Sequence, residues 1–233
     1  MTALAVTRLH LARRGTMLVT PLGLIAVAGA ITILISVIVL RATGGAPGPD
    51  YDPRWNQAMA WTLPGFLVYL SVAAVATTFP LGMSLGSTRR SFVAGTQLAQ
   101  LALAAYITAV MTLLLLAELA TGHWFAGIHA FDVYTLGAGN PLVFAAIVFL
   151  GTLTLFSMGS LFGSAYVRYR ALGPLCLSVG LGLLLALIAL AIGPGLGPLF
   201  ASFQLWWLAV AAGIVIVLAQ AGTYALLRRA AVR

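Results

Sequence analysis

Six long apolar runs, separated by short polar or glycine- and proline-rich connections, organise the chain. They cover residues 17–40, 57–85, 93–120, 141–163, 172–193 and 205–227. Each reaches the about 20 residues that a helix needs to cross a bilayer core about 30 Å thick. The pattern predicts an all-α, polytopic membrane protein with six transmembrane helices, forming a single transmembrane domain over residues 1–233. Little chain is left between the runs, so a separate soluble domain has no room.

Ahead of the first run, residues 2–14 read as a short amphipathic segment. On a helical wheel Leu4, Ala5, Leu9, Leu11 and Ala12 share one side, with Thr7, His10, Arg13 and Arg14 opposite. Arg8 interrupts the apolar arc, but its long stem can snorkel. This predicts an N-terminal interfacial helix; the alternative is a frayed basic terminus. The Arg13-Arg14 pair before the first run also invites a signal-peptide reading. That run is about 24 residues, against 7–15 for a cleavable apolar region, so a retained span is expected.

Composition closes off other classes. The chain is 62% hydrophobic and 7% charged, whereas a soluble domain carries about 25% charged residues. A soluble enzyme, a disordered chain and a disulfide-stapled secreted domain are excluded. The one cysteine, Cys176, lies in an apolar run.

The formal charge of +8 gains meaning from its placement. All 12 basic residues are arginine. With both termini cytoplasmic, Arg8, Arg13, Arg14, Arg89, Arg90, Arg168, Arg170, Arg228, Arg229 and Arg233 fall inside, with no acid among them. Outside lie Arg41 and Arg54 with Asp50, Asp52 and Asp132. This is the positive-inside pattern, so the charge reports topology and implies no nucleic acid. Without lysine the chain has no phosphate-binding loop of the G-x-x-x-x-G-K-[ST] type.

Candidate chemistry is sparse. Glu118 is the one acid within an apolar run, about 36 Å along its helix from Ala94, which makes it a candidate outer-face polar site. Solvent or Arg41 is its expected partner, and proton coupling is the alternative. His123, His129 and Asp132 form a loose group whose spacing matches no zinc motif, so no metal site is expected. No catalytic motif appears, so the chain is not expected to be an enzyme by itself. Pro64, Pro80 and Pro194 are expected to kink or end helices. Gly82-x-x-x-Gly86 and Gly159-x-x-x-Gly163 permit close helix approach. Gln97 and Gln100 share a helix face and are expected to bond neighbouring helices.

The most specific segment runs from Phe79 to Gly95, FPLGMSLGSTRRSFVAG. It resembles the loop after the second span in six-span permease subunits of bacterial ABC exporters, whose ATPase is a separate chain. The resemblance implies a short coupling helix docking on a nucleotide-binding ATPase subunit through Gly86, Ser87, Thr88, Arg89, Arg90, Ser91, Phe92 and Gly95. Arg89 and Arg90 would meet its polar groups, and Phe92 would enter an apolar notch. Arg168 and Arg170 fall in the second cytoplasmic loop. A second permease copy or a homologous permease would complete the pathway. ATP and Mg would bind the partner subunit, with no cofactor on this chain. A charge-poor pathway suits a lipophilic or amphipathic substrate moved outward across the bacterial cell membrane. The alternatives are an ATP-independent secondary transporter or channel, and an accessory membrane protein.

Overall fold

The computed structural model describes residues 1–12, 15–44, 52–193 and 204–230. The readings that rest on Arg13, Arg14, Asp50, Pro194 and Arg233 lie outside them. The helices are α1 (Ala3–Leu11), α2 (Thr20–Ala42), α3 (Ala58–Thr62), α4 (Pro64–Ser84), α5 (Arg89–Ala120), α6 (Pro141–Tyr169), α7 (Leu172–Ile192) and α8 (Leu205–Leu227). A wide turn, Gly15–Val19, leads into α2. Among the described residues six helical segments are long and apolar enough to cross a membrane: Gly15–Ala42, Pro53–Ser84, Arg89–Ala120, Pro141–Tyr169, Leu172–Ile192 and Leu205–Leu227. This is the build of a multi-pass membrane protein.

Two prolines act differently. Leu63 separates α3 from α4 yet keeps helical backbone angles, so the second span loses hydrogen bonds where Pro64 starts α4 without leaving the helical path. Proline is well placed there, because a first-turn N–H has no intrahelical partner. Pro80 instead sits inside α4, which continues through it to Ser84.

The chain divides into two units: Met1–His10, Val68–Leu98 and Thr154–Arg233 in one, Leu11–Leu67 and Ala99–Leu153 in the other. The first is centred on Val6, Val75, Phe79, Phe92, Val93, Leu227 and Ala230. Phe79 and Phe92 meet edge to face, with ring centroids 5.1 Å apart. Gly159 and Gly163 let α6 approach α4 closely, since an added Cβ would lie 2.6 Å from Val68 O and 2.9 Å from Val72 O. Beside this crossing the Ser71 hydroxyl donates to Phe156 O at 2.6 Å. The expected polar link on Gln97 also forms: its amide donates to Gln220 on α8, and Gln220 donates to Ser157 on α6.

Gly82 and Gly86 serve the turn after α4. Gly86 takes φ +78°, and Gly82 makes room for Phe92 and Ser87. In the second unit α3 lies against α2, and Leu103, Ile107, Met111 and Leu115 form a buried stripe on α5. The window of α7 with mean hydropathy 2.8 has none of its residues buried. An all-round apolar surface of this kind suits lipid or another membrane helix.

The N-terminal segment is helical, but it buries a different face from the one the wheel selects. Val6 and His10 are buried, while Leu4 is exposed. The reason is a specific fit to α5. A Cβ on Gly95 would stand 2.6 Å from Val6 Cβ. Thr7 donates to Gly95 O at 3.0 Å, and His10 Nε2 lies 3.0 Å from Thr96 Oγ1. Burial lowers the His10 pKa from 6.5 to about 4, so the docked imidazole is neutral at pH 7.

Candidate functional sites

Two polar centres stand out, one in each unit. The first is the arginine-rich turn between α4 and α5. Residues 85–88 form a tight turn rather than the short helix implied by the resemblance. Gly86 N–H donates to Met83 O, and Ser87 N–H and Oγ both donate to Gly82 O. Such bonds satisfy the carbonyls orphaned at a helix end. Thr88 opens α5: its Oγ1 accepts from Ser91 N–H at 3.2 Å and donates to Ser91 Oγ at 3.1 Å.

Beyond the turn the predicted contact residues diverge. Phe92 is fully buried, so the apolar notch it fills belongs to its own chain, and its expected insertion into a partner is corrected. Gly95 is covered by α1. Arg89 donates to Arg228 O and, at 2.9 Å, to Ala230 O. A cation on the last carbonyls of α8 also favours the negative end of that helix. Arg90 is exposed, with Nε 3.3 Å from the Tyr224 hydroxyl. An open groove of about 440 Å³ runs beside it, lined by Val93, Ala94, Gln97, Gln220, Ala221 and Tyr224 as well as Arg90. Leu85, Gly86, Thr88 and Arg90 make the exposed surface of the turn. At the α6–α7 connection the Arg168 guanidinium lies 4.7 Å from the Tyr169 ring centre, and exposed Arg170 takes φ +57°.

The second centre is the connection from α5 to α6. Glu118 is 0% exposed. Its Oε2 accepts from Trp124 Nε1 and Phe131 N–H, each at 2.9 Å, and Oε1 accepts from Asp132 N–H at 3.1 Å. Ala130 N–H is shared between the two oxygens at 3.2 Å. The expectation of solvent or Arg41 as partner is thereby corrected: the carboxylate is wrapped by its own following loop. A buried charge is tolerable only when donors replace water in this way.

Asp132, itself 1% exposed, gathers three nitrogens at Oδ2. Arg54 Nη2 lies at 3.2 Å, His123 Nε2 at 3.1 Å and His129 Nδ1 at 3.3 Å. The two imidazoles, expected to be loosely placed, have ring centroids 4.0 Å apart. They are brought together by a left-handed run, Gly122 to Phe125, with φ near +60° throughout. Left-handed backbone costs a non-glycine residue about 1–2 kcal/mol. Bonds from Trp124 Nε1 to Glu118 and from Trp124 N–H to Thr121 Oγ1 hold the run in place.

Nearby, the Tyr134 hydroxyl donates to Asp52 Oδ2 at 2.6 Å. That bond, joined by Arg54 N–H, holds the Asp52 carboxyl below the usual carboxylate range and raises the Tyr134 hydroxyl.

Sequence reasoning singled out Glu118 but missed Arg54 and Trp124 as members of this centre. One signal was available. Glu118 continues the buried register Leu103, Ile107, Met111, Leu115 by a further three residues, so its side chain points inward. No family model, no curated protein and no solved structure matches the chain. The fold therefore defines the class, a multi-pass membrane protein.

Proposed function

We propose that this chain is the membrane-spanning permease subunit of a bacterial ABC exporter, driven by ATP hydrolysis on a partner subunit. The observation that carries the reading is the arginine-rich turn Leu85–Arg90 between the second and third spans, in a segment that resembles the ATPase-docking loop of such permeases. The distribution of arginines along the six spans supports cytoplasmic termini and, with them, a cytoplasmic position for this turn. The lack of lysine agrees with ATP and Mg binding on another chain. Two permease chains and two ATPase chains make the expected assembly, in the bacterial cell membrane.

Docking falls to the exposed part of the turn: Leu85, Thr88 and Arg90. Arg89 acts by holding the end of α8. The substrate proposed is lipophilic or amphipathic. A groove of about 590 Å³ between α5 and α6 supports this, being apolar but for Thr108 and Thr112.

The test is co-purification with an ATPase and substrate-stimulated ATP hydrolysis in liposomes. Leu85→Asp/Arg90→Glu is expected to abolish association while the chain still folds and inserts. Unchanged association overturns the docking assignment. Transport by the lone chain under an ion gradient overturns the class.

A further inference from the structure

We propose that His123, His129 and Asp132 form a binding site for one zinc-class divalent cation in the α5–α6 connection, independently of what the chain transports. The distances are the first support. A tetrahedral ion with nitrogen and oxygen ligands at 2.0–2.1 Å holds them about 3.3 Å apart. Asp132 Oδ2 stands 3.1 Å from His123 Nε2 and 3.3 Å from His129 Nδ1. One ring nitrogen from each of His123 and His129 and a Glu118 oxygen also lie within 4.8 Å of one another.

Unmet bonding capacity is the second support. His129 Nδ1 and Asp132 Oδ1 are buried and have no hydrogen-bond partner. His129 Nδ1 is close to Oδ2 but misaligned for a hydrogen bond. An unsatisfied buried polar atom costs about 1–3 kcal/mol. A cation seated between Oδ2 and the two nitrogens would use the His129 lone pair directly.

The surroundings favour a cation as well. The carboxylates of Glu118, Asp132 and nearby Asp52 outnumber the one arginine beside them, Arg54. The Glu118 oxygens are already committed to N–H donors. Glu118 is therefore a positioning residue: it fixes the backbone of residues 130–132 and adds its charge. Two imidazoles and a carboxylate, without a thiolate, suit Zn²⁺ and its neighbours rather than Mg²⁺ or Ca²⁺, which want oxygen alone. His123, with 26% of its side chain exposed, gives the side for entry and for a water as fourth ligand. Arg54 holds the same Oδ2 and is 38% exposed, so it is a competitor that can swing away.

The experiment uses the full chain in detergent, purified with a histidine-free tag, and Co²⁺ as the probe. One equivalent is expected to give the visible bands of a four-coordinate N/O site without thiolate charge transfer, displaced by Zn²⁺. His123→Gln and His129→Gln are each expected to weaken binding by at least about tenfold, and Arg54→Gln to tighten it. Absence of the bands in the native chain at excess Co²⁺ overturns the proposal, a result that needs no variant to fold. Native affinity in the His123→Gln/His129→Gln double variant, or a six-coordinate spectrum, overturns it equally.

Discussion

The two polar centres handle charge in opposite ways. At the turn after α4 the charges are cations, held by carbonyls and a hydroxyl and left partly or wholly in contact with solvent. At the end of α5 the charge is a carboxylate, removed from solvent and surrounded by N–H donors. A half-exposed arginine loses little when its partners go, because water replaces them. A buried carboxylate and its amides have no such substitute. The basic turn can therefore be remodelled at small cost, whereas the Glu118 loop behaves as one block.

The largest expected effect breaks that block. Glu118→Ala orphans the amides of Ala130, Phe131 and Asp132 and the Trp124 indole, at an expected cost of about 1–3 kcal/mol for each donor left unsatisfied. The check is the thermal unfolding midpoint in detergent, with Glu118→Gln falling between the two. A midpoint close to the native one would make the amide cradle unimportant.

Next is the pH response of the other unit, where His10 is buried and neutral. Above pH 6.5 it is neutral whether docked or released. As the pH falls from 6.5 to about 4, only the released helix takes up a proton. Docking of α1 on α5 should weaken over that window by up to about 3 kcal/mol. Hydrogen exchange of residues 3–11 at pH 7 and pH 4.5 reads it, and His10→Gln should abolish the pH dependence.

The smallest effect is at Arg89. Arg89→Ala removes the donor from Arg228 O and Ala230 O, with an expected loss of about 0.3–1 kcal/mol. It should appear as faster exchange at the last turn of α8 and a nearly unchanged midpoint. A loss as large as that for Glu118→Ala would erase the contrast between the centres.

Much of the fold was legible because it depends on one-dimensional quantities. Length and apolarity place the six spans, and the sequence ranges fall within a few residues of the helices except at α6, which runs on to Tyr169. Pro64 marks the junction of α3 and α4 for a local reason, its missing N–H. The Gly159–Gly163 pair was legible as a packing motif, though not its partner α4. The candidate sites were less legible. Whether Phe92 faces a partner or its own core depends on how the turn sets Phe79 against it and on where Val6 arrives from the distant N-terminal helix.

The sequence by itself determined the environment of this protein: with 7% charged residues and six runs of bilayer length, the hydrophobic effect leaves no soluble alternative. It also determined where the charges fall along the chain, because arginine cannot be hidden in hydrocarbon without a large cost. Only the tertiary structure decided what those polar groups do. Glu118, His123, His129 and Asp132 become one centre because a left-handed turn folds the loop back over the end of α5. No periodicity encodes that reversal; it is fixed by the donors a buried carboxylate must collect.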